Sequence, residues 1–213
     1  MALTTLFGTA QLRLQGALSD NLDARGGTPR APNFVVVTLS REGFQRAHSG
    51  TLEDERERFR RDMEGGMRGF VASHGWIIGG SGTLFMNIIV KEMGEDCTVE
   101  AAIARSVCAL EVRDDRGARA VDVGSNPTII GREHTPHPRG FVPVHDGRRH
   151  FSREHLLLTY YDLNLHLRCS GRNPTTLNGA PLPESGAVLR RGDVIACGEC
   201  SIAVKEIRRG AHG

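Results

Sequence analysis

Three polar blocks punctuate the second half of this chain: Gly131-Arg132, Ser152-Arg153-Glu154-His155 and Asn173-Pro174-Thr175-Thr176-Leu177-Asn178-Gly179. Short apolar runs typical of β-strands separate them, such as Leu156-Leu157-Leu158-Thr159-Tyr160-Tyr161. The blocks supply a guanidinium, a serine hydroxyl and an asparagine amide from separate loops. A guanidinium makes charge-assisted hydrogen bonds to a phosphate dianion, and hydroxyl and amide groups can hold further oxygens and a peptide backbone. The blocks therefore predict a phosphate-binding end of a β-rich domain.

Together with the strands around them, these blocks resemble the forkhead-associated (FHA) domain, a β-sandwich that reads phosphothreonine. The resemblance implies phosphopeptide contacts for five residues: Arg132, Ser152, Arg153, Arg172 and Asn173. It implies architectural roles for four others: Gly131, His155, Asn178 and Gly179. Each block is common by itself, and the resemblance depends on all three occurring in order between strands. Arg148 and Arg149 add positive charge beside the predicted site.

Two features depart from the FHA pattern. Pro174 stands where the family usually has glycine, and proline restricts both its own backbone and that of the preceding residue. The loop between Arg132 and Ser152 is longer than usual and contains the insertion 133–140. These departures keep a second reading open, in which the FHA fold is a phosphate-independent protein-interaction scaffold. Downstream, the segment Leu189–Gly198 resembles the closing hairpin of the family.

The first half of the chain has a different pattern. We predict a strand at Asn33–Leu39, a helix that begins with a capping box at Thr51 and stops near Gly75, and a second strand at Thr83–Lys91. Apolar residues recur at helical spacing within that helix: Leu52, Phe59, Met63, Met67, Phe70 and Val71. Gly65-Gly66 predicts a bend or break in its middle. Strand, helix and strand in this order indicate a small α+β domain.

The segments Arg30–Phe44 and Val71–Trp76 are similar to the domain that precedes FHA in actinobacterial proteins of the FhaA type. That resemblance implies work under Ser/Thr kinases and a link to the control of cell-wall synthesis. It also implies that the N-terminal domain can itself be phosphorylated. Candidate acceptors are Thr28, Thr51 and Thr135, although each of them is better explained as a turn or cap residue.

The predicted fold is therefore an α+β N-terminal domain followed by an all-β FHA sandwich. Residues 1–30 are expected to be a flexible N-terminal arm, because they end in turn-rich sequence. Residues 31–93 form the small α+β FhaA-type domain, 94–106 the linker and 107–208 the FHA sandwich.

Bulk composition narrows the function classes. A net charge of +2 argues against a general nucleic-acid binder, which needs a concentrated basic face. The sequence has no apolar run long enough for membrane insertion and no secretory-type start. The five cysteines are odd in number and unpatterned, which favours reduced thiols in the cytoplasm.

Two rival site chemistries receive little support from the sequence. Five histidines lie near Asp146 and Glu154: His134, His137, His145, His150 and His155. Neither a nucleophile elbow nor a nucleotide-binding loop accompanies them, so we predict no enzyme activity. Cys197-Gly198-Glu199-Cys200 is half of a zinc site, and structural zinc needs four ligands, so we predict no metal or other cofactor. The expected partner is a phosphothreonine-containing protein, either a Ser/Thr kinase or its substrate.

Overall fold

The structure is a computed structural model that describes residues 2–47, 50–132 and 140–210. It divides into two compact units, one extending to Ala104 and the other from Arg105 to Arg209. Within the described ranges, no helix combines the length and the apolar character needed to cross a membrane.

The N-terminal unit combines helices with short sheets. Its elements in chain order are α1 (Ala2–Asp20), β1 (Arg30–Ala31), β2 (Phe34–Ser40), α2 (Arg41–Ala47), α3 (Leu52–Ser73), β3 (Ile77–Ile78), β4 (Phe85–Lys91) and β5 (Cys97–Ala102). Strand β2 is central, with β4 parallel on one side and β5 antiparallel on the other. Every residue of β2 is buried, in agreement with its mostly apolar sequence and the β-branched run at residues 35–38.

The core of this unit lies between the helices and one face of β2. Because side chains alternate along a strand, Val35, Val37 and Leu39 share that face. They join a cluster with Phe59 and Met63 of α3. The predicted start of α3 is confirmed, since the Thr51 hydroxyl accepts a hydrogen bond from the Asp54 amide at 3.3 Å.

Three sequence predictions for this unit are wrong. The predicted flexible arm 1–30 contains helix α1, because Leu6, Ala10, Leu14 and Leu18 recur on one face and are buried. The predicted linker 94–106 contains β5, which pairs with β2 along its length. Helix α3 continues through Gly65-Gly66 without a break. A Cβ on Gly66 would lie 2.2 Å from the Gln11 amide nitrogen, so the glycine permits close packing against α1.

The C-terminal unit is an all-β sandwich, as the sequence predicts. Its strands are β6 (Cys108–Asp114), β7 (Gly117–Val123), β8 (Thr128–Gly131), β9 (Gly140–Pro143), β10 (Leu156–Tyr161), β11 (Asn164–Cys169), β12 (Thr176–Leu177), β13 (Ala180–Pro181), β14 (Ala187–Leu189), β15 (Val194–Cys197) and β16 (Cys200–Ile207). One sheet has the order β14-β11-β10-β8-β9 and the other β13-β12-β15-β16-β6-β7. Alternate residues of both sheets are buried, such as Leu165 and Leu167 in β11 and Ile202 and Val204 in β16.

The closing hairpin differs from the prediction. Leu189–Gly198 is not a hairpin, because β14 and β15 belong to different sheets. Gly192 has φ +92°, and the Asp193 carboxylate accepts the Arg190 amide at 2.6 Å, so a tight turn carries the chain from one sheet to the other. The hairpin is instead formed by β15 and β16, with Cys197 opposite Cys200.

Candidate functional site

The three polar blocks reach the same end of one sheet. Strand β10 is antiparallel to both β8 and β11, and Leu156 lies opposite Ile130 on one side and Cys169 on the other. The end of β8, the start of β10 and the end of β11 therefore meet. Arg132 follows the first of these strands, Ser152–His155 precedes the second, and Arg172-Asn173 follows the third.

Backbone hydrogen bonds join these loops closely. The Arg132 amide donates to the Ser152 carbonyl at 2.9 Å, and the amides of Ser170 and Gly171 both donate to the His155 carbonyl. A Cβ on Gly131 would lie 1.7 Å from the Arg153 carbonyl oxygen, and one on Gly171 would lie 2.1 Å from His155 Nδ1. Only glycine fits at these two positions. Gly131 belongs to the predicted motif, whereas Gly171 lies outside it and is identified only by its close approach to His155.

His155 lies beneath the loops and is fully buried. Its Nδ1 accepts a hydrogen bond from the Ser152 amide at 3.0 Å, so Nδ1 carries no proton. Its Nε2 lies 2.7 Å from the Thr175 hydroxyl and donates to it in this tautomer. Burial lowers the pKa of His155, with the nearby Asp146 carboxylate opposing that effect. The neutral imidazole thus links the Ser152 and Thr175 loops, and Thr175 is a contact that the sequence analysis missed.

Ser152, Arg132 and Arg172 come together above this histidine. The Arg132 side chain is half-buried, and its Nε donates to the Phe151 carbonyl at 3.1 Å. The Arg172 amide points at the Ser152 hydroxyl oxygen from 3.5 Å, which is long for an N–H···O hydrogen bond. An anion at this point could receive hydrogen bonds from both the hydroxyl and the amide. Arg153 is exposed beside them.

Asn173 joins this loop to the segment before Ser152. Its Nδ2 donates to the His150 carbonyl at 2.6 Å and contacts the Arg149 carbonyl at 3.5 Å. Among the described residues, no donor reaches its side-chain oxygen, which leaves an acceptor for a peptide N–H. Pro174 is exposed. The Thr175 hydroxyl contacts the Asn173 carbonyl at 3.4 Å, so the residues on both sides of the proline are in contact.

A buried carboxylate organises the segment that leads into Ser152. Asp146 Oδ2 accepts the Phe151 amide at 2.6 Å, and its Oδ1 accepts the Arg148 amide at 3.1 Å. In the sequence, Asp146 stands out only as a neighbour of the five histidines. Residues 133–139 of the predicted insertion 133–140 lie outside the described residues, as does the candidate acceptor Thr135, and Gly140 begins β9.

Two predicted motif residues lie away from this cluster. Asn178 and Gly179 have positive φ angles of 54° and 82° and form the turn between β12 and β13. The Asn178 side chain bonds the Asp193 carboxylate and the Val194 amide, both at 2.8 Å. These bonds therefore join the β12–β13 turn to the start of β15 and do not reach the loops around Ser152.

The cysteines of the possible half zinc site are buried. Cys197 and Cys200 lie opposite each other across the β15–β16 hairpin as free thiols. Burial raises the pKa of Cys200 to about 11 and also raises that of Cys197. Across the described ranges, no group of three or more histidine, cysteine, aspartate or glutamate side chains could hold a metal ion.

The loops described above lie within a segment that matches a known protein family. Residues 128–198 match the family model of the FHA domain. The chain belongs to the FHA family through this domain. FHA domains are interaction modules rather than enzymes. The match does not extend to residues 31–93, so the FhaA-type N-terminal domain stays a prediction. Among curated proteins, none matches the chain.

Several solved FHA structures are similar to this chain. An FhaA FHA domain complexed with the intracellular domain of Rv3910 is 30% identical, covering 46% of this chain and 98% of that one, with a TM-score of 0.38. An FHA domain with phosphothreonine-dependent interactions is 26% identical over 47% and 98%, with a TM-score of 0.38. The N-terminal FHA domain of S. cerevisiae Rad53p, in complex with a phosphothreonine peptide, is 20% identical over 47% and 94%, also with a TM-score of 0.38.

Proposed function

We propose that this protein is a non-catalytic adaptor whose FHA domain binds phosphothreonine peptides. Arg132, Ser152 and Arg153 contact the phosphate, and Arg172 and Asn173 hold the phosphate and the peptide backbone. Gly131 and His155 keep these loops in place, and Asn178 with Gly179 shapes a supporting turn. The partner is a phosphothreonine-containing protein, either a Ser/Thr kinase or a substrate of one.

The convergence on Ser152 carries this proposal. The Arg132 amide bonds the Ser152 carbonyl at 2.9 Å, and the Arg172 amide approaches the Ser152 hydroxyl at 3.5 Å. The Ser152 hydroxyl and the Arg172 amide thus lie together, and the Arg132 side chain is held at the carbonyl of the neighbouring Phe151. A phosphate dianion has three acceptor oxygens and is stabilised by such charge-assisted hydrogen bonds.

The finer assignment places this adaptor in bacterial Ser/Thr kinase signalling in the cytoplasm, with a link to the control of cell-wall synthesis. Its support is the sequence resemblance of Arg30–Phe44 and Val71–Trp76 to FhaA-type proteins. The free thiols of all five cysteines agree with a reducing compartment.

Peptide capture tests the proposal. The full chain is exposed to a degenerate phosphothreonine peptide library and to the same library without phosphate. We expect enrichment only from the phosphorylated library, because the site offers its donors to an anion. Equal capture from both libraries, or from neither, would contradict phosphate reading and favour the phosphate-independent scaffold.

A further inference from the structure

The turn between β6 and β7 lies outside the segment 128–198 that matches the FHA family, yet it is hydrogen-bonded to the loop between β9 and β10. Two adjacent aspartates at this turn accept amides of that loop. Asp114 Oδ2 accepts the His145 amide at 2.8 Å, and Asp115 Oδ2 accepts the Gly147 amide at 2.6 Å. The Asp115 amide in turn donates to the His145 carbonyl at 3.0 Å. Three hydrogen bonds therefore hold this part of the loop against the turn.

The two aspartates differ in burial and in their other contacts. The Asp114 side chain is fully buried and forms an ion pair with Arg119 at 2.6 Å. The Arg119 guanidinium also donates to the Pro143 carbonyl, so Asp114 belongs to a buried network that supports the fold. Asp115 is exposed, and its carboxylate bonds the Gly147 amide. A substitution of Asp115 can therefore change how the loop is held without opening the core.

A second set of hydrogen bonds connects this part of the loop to the phosphate-binding residues. Asp146 lies between the two amides that the turn accepts, and its buried carboxylate accepts the Phe151 amide at 2.6 Å. Phe151 is fully buried, and its carbonyl accepts a hydrogen bond from Arg132 Nε at 3.1 Å. The next residue in the chain is Ser152. The position of the loop at the turn is thus linked to both the serine and the arginine of the site.

We infer that Asp115 is a positioning residue for phosphothreonine binding, which holds the loop so that Ser152 and Arg132 are placed for the phosphate. This inference rests on the proposed function and extends the site to a residue outside the family match. A bond that keeps a loop in its binding-competent arrangement raises the fraction of molecules able to bind. The negative charge of Asp115 acts in the opposite direction, because a carboxylate repels a phosphate dianion.

These opposite effects allow two substitutions to test the inference. Asp115→Ala removes both the charge and the hydrogen-bond acceptor, whereas Asp115→Asn removes the charge and keeps a side-chain oxygen that can accept the Gly147 amide. The full chain is titrated calorimetrically with one phosphothreonine peptide. Asp115→Ala should weaken binding about two- to tenfold, as expected for the loss of one hydrogen bond. Asp115→Asn should bind at least as tightly as the wild type.

Asp122→Ala is the matched control. Asp122 is exposed on β7 of the same hairpin, so its substitution removes the same charge. Affinity in this control should stay at the wild-type value or rise. Amide resonances of the free proteins, measured by ¹⁵N-labelled NMR, give a readout that a general loss of stability does not move. The Phe151 and Ser152 amides should shift in Asp115→Ala and stay close to their wild-type positions in Asp115→Asn.

The outcomes separate this inference from the proposed function. Equal affinities in Asp115→Ala and Asp115→Asn would overturn the positioning role, because the retained oxygen would then make no difference. An equal loss in Asp122→Ala, or weaker binding in Asp115→Ala without shifts of the Phe151 and Ser152 amides, would overturn it as well. Each of these results leaves phosphopeptide binding standing. Failure of the wild type to bind any phosphopeptide would overturn both proposals.

Discussion

At the scale of single residues, His155 joins two loops in one protonation state. Its Nδ1 accepts the Ser152 amide proton and its Nε2 donates to Thr175. A protonated imidazole has only donors, so protonation breaks the bond to Ser152. The histidine beneath the site therefore couples loop structure to pH.

This coupling gives a stability prediction. The pKa of His155 is lowered in the folded protein, so the unfolded chain binds more protons below its ordinary value of about 6.5. The contribution of neutral His155 is complete above that pH. It is lost as pH falls from there toward the lowered pKa. We expect the free energy of unfolding, measured by denaturant titration at several pH values, to fall across that window.

Substitution isolates the effect of His155. The pKa of His166 is also lowered by burial, so it adds to the slope in the wild type. His155→Gln should reduce the pH slope and lower stability at neutral pH, whereas His166→Gln should reduce the slope alone. An unchanged slope in His155→Gln would show that this histidine titrates equally in the folded and unfolded chains.

At the scale of elements, a prediction that depends on adjacent residues was confirmed, and predictions for elements that depend on distant residues were wrong. The helix start at Thr51 depends on adjacent residues, and it forms as predicted. The burial of α1 and the pairing of β5 with β2 depend on residues far away in sequence. Turn-rich residues after α1 suggested a mobile arm, although four apolar residues on one face anchor the helix.

Helix α1 supplies the test at this scale. Leu18 is fully buried in the N-terminal core, whereas Leu12 on the same helix is 71% exposed. Leu18→Ala should destabilise this unit by about 2–5 kcal/mol, while Leu12→Ala should change stability little. Denaturant unfolding measures both. Equally small losses of stability in both variants would contradict a packed α1 and would favour the flexible arm predicted from the sequence.

At the scale of the whole molecule, the net charge does not reflect the local positive charge of the site. The chain carries only +2, yet five arginines lie at or beside the loops: Arg132, Arg148, Arg149, Arg153 and Arg172. Exposed charges are screened beyond about 8 Å at physiological ionic strength. We expect phosphopeptide affinity to fall as salt rises, measured by fluorescence anisotropy in a sodium chloride series. Affinity independent of salt would mean that apolar contacts dominate binding.

The sequence predicted the FHA domain better than the detailed site. Gly131, Ser152 and His155 stand in a recognisable order, so their loops could be placed before the structure was known. Three other residues belong to no local sequence pattern. Gly171 packs closely against His155, the Thr175 hydroxyl bonds His155, and the buried Asp146 carboxylate accepts a backbone amide. The order of the motifs can be read from the sequence, whereas these contacts form only when folding brings the loops together.

The most direct test of the central claim is calorimetric titration of the full chain with one phosphothreonine peptide. Ser152→Ala should weaken binding about tenfold or more, because one hydrogen bond to a charged group is lost. Ser170→Ala is the matched control, since its hydroxyl bonds the Glu154 carbonyl at 3.3 Å. We predict wild-type affinity for that control and unchanged melting temperatures for both variants. Full affinity in Ser152→Ala would contradict a phosphate site built around this hydroxyl.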